Sequence, residues 1–453
     1  MDFDDRAKEQ SDLIFRVWVQ NLLRNQPEEL AAKLAFRHCP GTPVTASRLA
    51  NGAFNVCYRV TFEDGKRVVV RFTALGRVVA RREKVGDEIA VMEYLAQHTA
   101  IPVPKIFGSG DCAVGPYVVM SYIEGKPLTG YLRDPSRETD ALRPNLPAPV
   151  LRKAYFAMAD LLLELAKPEF PSIGAIARDE AGAWTVSKRA LTFNMNRLAQ
   201  FSNIPHSVFT QRRFDSAADF FEELARQHFW HLELQRNDAV ADDADCRKKY
   251  VARCLFRRLS REIAGEHCRG PFRLFCDDLR PDSLLVDASK LAVAGVVDWE
   301  FTYAAPVEFT HAAPWWLLLE RPEAWEDDLD EFLARFMPRF RTFIEVLREC
   351  EAAKIADGSL LPSQRLSAAM EKSMENGMFW VCLASRHSSM FDEIYWKFID
   401  PKFFGPFTTM EDRLCLLSAA ERTDIDAFVE KKMLQASEGS LASYYTVDEI
   451  FDL

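Results

Sequence analysis

Two acids stand before a tight turn in FCDDLRPDSLLVD at residues 275–287, and VVDWE follows, ending at Glu300. Hard oxygen donors are what a divalent cation needs, and a carboxylate beside them can receive a hydroxyl proton. LLVD at 284–287 reads as a short strand, Ala288-Ser289-Lys290 as a turn, and AVAGVV at 292–297 as the returning strand. Antiparallel pairing sets Ser283 beside Asp298 at the open end of that hairpin, and the Asp-Leu-Arg-Pro turn holds Asp278 near the same place. Taken singly, Asp278 and Asp287 serve equally well as turn caps and Asp298 as the start of a helix. The ordered set is what points to metal and phosphate chemistry.

A second polar group lies upstream. In VCYRVTFE, Val56, Tyr58, Val60 and Phe62 alternate with more polar neighbours, the period of a strand with one buried face. Asp64-Gly65 supplies a hairpin turn, and RVVVRFTA returns as the partner strand carrying Arg71. Residues 82–97 take up helical period, with Val85, Glu88, Met92 and Leu95 along one face. A Glu in an apolar stripe needs a cation, because an unpaired buried carboxylate is costly, and Arg71 is the natural candidate. A plain structural ion pair meets the same requirement. Asn51 and Gly52 precede the first strand in a loop able to cover phosphates with its backbone N–H groups, although a single glycine also suits an ordinary turn.

The rest of the chain frames these groups. Residues 8–35 read as helical, with Leu13, Val17, Leu22 and Leu30 among the spaced apolar positions. IPVPKIFG at 101–108 breaks the second helix, and YVVMSYIEG at 117–125 is a strand ending in Gly125. From about residue 148 the pattern is mostly helical and rich in Phe and Trp, with the 275–297 stretch its chief strand-bearing island. The expected organisation is a helical N-terminal extension over 1–40, a small α+β lobe over 41–124, and a larger helical lobe over 125–453.

The catalytic spacing resembles that of the kinase loop, where an acceptor Asp is followed five residues later by a metal-binding Asn and then by a metal-binding Asp on a strand. Here those places fall on Asp278, Ser283 and Asp298. The stretch is similar to the HGD-L-x-P-x-N…IDWE signature of the aminoglycoside phosphotransferase and choline-kinase-like family, closest to a fungal branch with a CDDLRPxN version. QRNDAV at 235–240, WEFTYAAPVEF at 299–309, PWWLLLERPEAW at 314–325, LTFNMN at 191–196 and FDEIYWKFID at 391–400 extend the resemblance over roughly residues 45–405. It implies a bilobal, protein-kinase-like α+β fold and ATP- and Mg²⁺-dependent phosphorylation of a small-molecule hydroxyl. Under it Asp278 is the acceptor, and Asp298 binds Mg²⁺ with Ser283, Asp282 or Glu300 assisting. Arg71, held by Glu88, neutralises phosphate, and Met120 and Tyr122 mark the hinge beside the adenine.

Three positions depart from that pattern: Cys276 stands for His, Arg71 for Lys, and Ser283 for Asn. Ser is shorter than Asn and reaches an ion through a water, so metal affinity falls. The alternative reading is therefore a kinase-like module that binds nucleotide or a partner without turnover. A rival register with Asp277 as acceptor fails, because Leu279, Pro281 and LLVD align only with Asp278.

Bulk properties narrow the field. A net charge of −10 argues against nucleic acid as partner and is compatible with a cationic substrate. Ten cysteines lie scattered without a CxxC pair, which fits reduced thiols in the cytoplasm rather than zinc or a disulfide framework. No apolar run approaches the roughly 20 residues a bilayer demands, and the acidic start carries no secretory signal. His228 and His231 lack a third ligand and read as core or surface residues. Trp315, Trp316 and Trp325 beside Glu326, Asp327 and Asp328 offer either a core or an aromatic, acidic wall for a cation. Neither a GxxxxGK[ST] loop nor a GxSxG elbow is present. Oligomeric state is not legible.

Overall fold

The structure, a computed structural model, describes residues 1–265, 267–287, 291–444 and 449–450, and of Ala50 and Asn51 only the backbone. Ala288-Ser289-Lys290, read above as a turn, lies outside the described residues. Two helices, α1 (Asp5–Arg24) and α2 (Pro27–His38), precede strands β1 (Pro43–Asn51), β2 (Asn55–Phe62) and β3 (Arg67–Thr73). Helix α3 (Arg81–His98) follows, then β4 (Ile106–Cys112) and β5 (Gly115–Ser121). The five strands form one antiparallel sheet in the order β1-β2-β3-β5-β4.

The alternation read in β2 holds: Val56, Tyr58, Val60 and Phe62 are buried, while Cys57, Arg59 and Thr61 are half-buried. Each fully buried side chain of this size contributes about 1.5–3 kcal/mol. Gly65 turns the β2–β3 hairpin at φ +81°, a conformation that costs other residues strain.

The N-terminal stretch differs from expectation. One helix over 8–35 is instead two, because Pro27 has no N–H to continue the ladder and Gln26 takes φ +50° before it. The apolar face also shifts: Leu13 and Val17 are 57% and 45% exposed, while Trp18 and Leu22 are buried. Trp18 decides the orientation, packing against the sheet core and donating from Nε1 to the Val114 carbonyl at 2.8 Å. With Leu34 of α2 it joins Val60, Val70 and Phe72 in the small lobe's core.

The chain leaves β5 through residues 122–125 and enters β6 (Lys126–Pro127), which pairs with a strand of the larger lobe. Helices α4 (Thr129–Leu132) and α5 (Ala148–Leu165), the hairpin β7 (Ala175–Arg178)–β8 (Trp184–Lys188), and α6 (Phe193–Phe201), α7 (Ala217–Leu234) and α8 (Asp243–Ser260) build most of that lobe. Asp242, from the acidic stretch 237–245, caps α8 by accepting from the Asp245 N–H at 2.8 Å. Next come β9 (Arg273–Cys276), β10 (Leu284–Val286), β11 (Val293–Val296), β12 (Thr302–Ala305), α9 (Val307–Thr310) and α10 (Leu329–Ala356).

β10 and β11 are the expected hairpin, with β6 as third strand in the order β11-β10-β6. The pairs β9–β12 and β7–β8 are additional. Their strands span four or five residues, too short for alternation to announce them. The connection between lobes is tight: a Cβ at Gly295 would collide with Ile123 Cδ1, and one at Gly125 would meet Leu285 Cβ at 3.0 Å. Among the described residues no helix is long and apolar enough to cross a membrane.

Candidate active site

Cys276 ends β9 opposite Thr302, which fixes where the catalytic stretch begins. Asp277 turns inward and is buried. It accepts from the Phe193 N–H at 3.0 Å and the Tyr303 hydroxyl at 3.3 Å, with Arg386 Nη1 3.8 Å away. Burial pushes its carboxyl up to about 6, against the pull of Arg386. Both oxygens are thus engaged in tying the loop to α6 and β12, which suits a brace better than an acceptor.

Asp278 is mostly buried, with 13% of its side chain exposed, and lies near enough to Asp298 for the two charges to interact. Its Oδ1 accepts from Arg321 Nη2 at 2.7 Å, and Arg280 Nε lies 3.9 Å off. Burial raises its carboxyl above the usual range, and the two guanidinium groups pull it back. A 3₁₀ turn over Pro281–Ser283 follows. Ser283 is buried, its N–H donates to the Arg280 carbonyl at 2.9 Å, and its carbonyl accepts from Val297 N–H at 2.9 Å. Leu284 pairs with Val296. Ser283 therefore stands across the hairpin from Val297, one residue short of the Asp298 partner that the strand reading gave it.

Asp298 has φ +61°, a left-handed backbone that Asp tolerates better than most residues. Buried Trp299 locks this turn, donating from Nε1 to the Val296 carbonyl at 3.0 Å. The turn aims the Asp298 carboxylate into the cleft, where half of it (53%) remains open and Arg71 Nη1 lies 3.6 Å away. Its depth between the lobes raises its affinity for a proton, Glu300 adds to that, and Arg71 opposes both.

Arg71 comes from β3 and Glu88 from α3; the two are buried and hydrogen-bonded through Nη2 and Oε2. Val85, Met92 and Leu95 are buried on the same face as Glu88. Arg71 Nε and Glu88 Oε1 have no hydrogen-bond partner among the described residues, so the pair keeps a donor and an acceptor in reserve.

Of the assisting acids, two are committed elsewhere. Asp282 lies 3.5 Å from Arg280 Nη2, and Glu300 is buried against Lys84 Nζ and Asn55 Nδ2, the latter at 2.9 Å. Burial works to protonate Glu300, but Lys84 and Arg71 overrule it and hold its carboxyl below the ordinary value. Lys84 also donates to Asn55 Oδ1 at 3.2 Å and lies 4.0 Å from Glu88. Two cations thus knit α3 to both acids of the Asp298–Glu300 turn. Lys84 escaped the sequence reading. The available signal was a Lys one helical turn before Glu88, on the same buried stripe.

The loop at Asn51 and Gly52 joins β1 to β2. Gly52 is exposed, and its N–H donates to the Asn55 carbonyl at 2.9 Å; the Asn51 side chain lies outside what is described. Phe54, within the same loop, clamps it onto the larger lobe. Its ring sits edge-on to Phe193 and Phe301, with centroids 5.8 and 5.4 Å away. Met120 is buried inside the sheet between Val69 and Ile106, packed with Val85 and Val118. Tyr122 follows the last sheet residue; its N–H donates to the Arg67 carbonyl at 3.3 Å, and the Arg67 guanidinium lies 5.0 Å from its ring.

Other candidates resolve into packing. His228 and His231 are fully buried and held neutral by burial, and His228 shares a hydrogen bond with Ser388 at 3.1 Å. Trp315 and Trp316 lie in the large-lobe core, and Asp328 caps α10.

The residues fit a nucleotide-bound Mg²⁺ rather than an all-protein cage. Among the described residues no three His, Cys, Asp or Glu side chains gather to hold a metal. Mg²⁺ in phosphoryl-transfer sites characteristically takes one or two carboxylates, with phosphates and waters supplying the rest. Asp298, with Ser283 close by, offers that donor set, and Arg71 brings a guanidinium to 3.6 Å from the same carboxylate.

Residues 45–335 match the phosphotransferase enzyme family (APH), and the chain belongs to it. The bilobal arrangement described above is the kinase-like fold of that family. A curated relative, the clavilactone A biosynthesis cluster protein Y of Ampulloclitocybe clavipes, is 24% identical over 279 residues, 58% of this chain. The chain spans 62% of that relative's length, less than two thirds. Similar solved structures include macrolide 2'-phosphotransferase type I (14% identity, TM-score 0.41, 81% of this chain and 95% of that one). Another is the GDP complex of a mutant aminoglycoside 2'-phosphotransferase-IIIa (12% identity, TM-score 0.41, 90% and 97%).

Proposed function

We propose that the protein transfers the γ-phosphoryl group of ATP, with Mg²⁺, to a hydroxyl of a small molecule. The observation that carries this reading is Arg71, which binds Glu88 on one side and lies 3.6 Å from Asp298 on the other, with Asp278 near enough to Asp298 for the two charges to interact. A cation, a hard-oxygen ligand and a proton acceptor on three different elements serve phosphoryl transfer, whose loose transition state asks for positioning and charge rather than covalent help.

In this reading Asp278 orients the acceptor hydroxyl and takes its proton as the oxygen bonds to the γ-phosphorus and the bond to ADP breaks. Arg71 meets the phosphate charge, and Glu88 keeps it from swinging away. Asp298 and Ser283 would hold Mg²⁺, which when bound neutralises charge on the phosphates. The loop at Gly52, anchored by Phe54, covers the phosphates, and the segment beyond Met120 and Tyr122 meets the adenine.

The second reading, nucleotide binding without turnover, is favoured by Ser283 in place of Asn and by Arg321 on Asp278. Thermal stabilisation by ATP separates the two. The phosphotransferase reading expects a shift that grows with Mg²⁺ and loses that increment in Asp298→Asn. A shift indifferent to Mg²⁺ would favour the second reading.

A further inference from the structure

The acceptor side of Asp278 is lined by positive charge. Arg321 donates to Asp278 Oδ1 at 2.7 Å, and its guanidinium lies 5.1 Å from the Phe193 ring and 5.6 Å from the Trp315 ring. A third of its side chain (33%) is open to solvent. No protein acceptor other than Asp278 is found for its N–H groups among the described residues. Arg280 Nε stands 3.9 Å from the same oxygen.

Several acids of the surrounding segments are already paired. Glu323 binds Arg197 and lies 3.4 Å from His387, and Glu320 faces Arg137 at 3.8 Å. Asp140 and Asp282 share Arg280 at 3.7 and 3.5 Å, and Asp328 caps α10.

A guanidinium keeps its charge at any working pH and presents a rigid fork matched to a carboxylate. The Phe193 and Trp315 rings lie within cation–π reach and limit where the guanidinium can go. A cationic acceptor would have to bring its charge beside this group. An anionic one would take the open N–H groups, draw Arg321 from Asp278, and leave Oδ1 to meet the hydroxyl.

We infer that the molecule entering beside Asp278 carries a carboxylate near its hydroxyl, and that Arg321 is the specificity-determining residue that reads it. This names the acceptor class of the phosphotransferase proposed above and replaces the expectation of a cationic one. It rests on that reading only for the word acceptor.

The test uses the full chain with ADP and Mg²⁺ present and two matched probe sets. One is para-hydroxymethylbenzoate, its amide and the corresponding benzylamine; the other is gamma-hydroxybutyrate, its amide and the corresponding amino alcohol. Binding is read by calorimetry, which needs no turnover. In at least one set the carboxylate should bind about tenfold or more tighter than the amide (about 1.4 kcal/mol), with the amine weakest. Arg321→Gln should erase that preference and Arg321→Glu should invert it, while Arg321→Lys, which keeps the charge, retains part of it. Circular dichroism and thermal unfolding identify which variants remain folded.

Equal or better binding of amide or amine, carboxylate preference surviving in Arg321→Gln, or no carboxylate binding in either set overturns the inference. A carboxylate-selective protein that never transfers phosphate from ATP would sink the phosphotransferase reading and leave this one standing. A protein that transfers phosphate yet ignores the carboxylate would do the reverse.

Discussion

Lys84→Met probes the charge network that joins α3 to the Asp298–Glu300 turn. The wild-type network sets Arg71 and Lys84 against Glu88, Asp298 and Glu300, all but Asp298 buried. Removing Lys84 leaves Glu300 buried with Asn55 as its remaining direct donor and Arg71 as the one cation among three carboxylates. Breaking a buried pair from one side costs about 3–5 kcal/mol, whereas replacing both members with well-packed apolar groups is often neutral. Denaturant unfolding should therefore show a loss of about that size for Lys84→Met, and much of it should return in Lys84→Met/Glu300→Leu.

The pH dependence supplies a second check. In the native protein Glu300 is held below its ordinary value, so its contribution is present above the unfolded pKa of about 4.3 and is lost as pH falls through the lowered folded one. Without Lys84, burial dominates and raises the folded pKa, so stability instead falls as pH rises through that raised value. The deficit of Lys84→Met should be large at pH 8 and shrink toward pH 5. A deficit under about 1 kcal/mol, one equal at both pH values, or one that the double variant leaves untouched would refute this account of Glu300.

Three other outcomes follow from the same geometry. Ser283→Asn should lower the Mg²⁺ concentration needed for half-maximal turnover and raise the turnover itself, measured by ADP release in a Mg²⁺ titration. The acid limb of the pH–rate profile should lie above the ordinary carboxylate range, because burial raises Asp278; Arg321→Gln, which removes a cation from the carboxylate, should move it to still higher pH. Phe54→Ala should cost stability, since each aromatic pair is worth about 0.5–1.5 kcal/mol beyond area burial, and should raise the KM for ATP through the Gly52 loop.

Much of this site could be read from spacing. A strand with period two, a helix with one acid on its apolar face, and a hairpin bounded by Ser283 and Asp298 each carry a local signal, and local signals survive in a single sequence. The Arg71–Glu88 pairing followed from one physical demand, a buried carboxylate needing a cation. What escaped depends on distant segments meeting. Nothing local to Lys84 names its partner, because Glu300 belongs to a turn far along the chain. Arg321 stood in an apolar run whose tryptophans suggested a core or an acidic wall, and nothing local said that it would reach Asp278 forty-three residues earlier in the chain. The N-terminal face was read correctly at Leu22 but misread at Leu13 and Val17, which are as apolar as Trp18 and are distinguished from it only by docking on the sheet.

The most direct test of the central claim is phosphate transfer from ATP in Asp278→Asn, measured beside nucleotide binding by the same protein. The account predicts that transfer falls by roughly 10²–10⁴-fold while ATP with Mg²⁺ still stabilises the fold. Transfer undiminished by the substitution would contradict it.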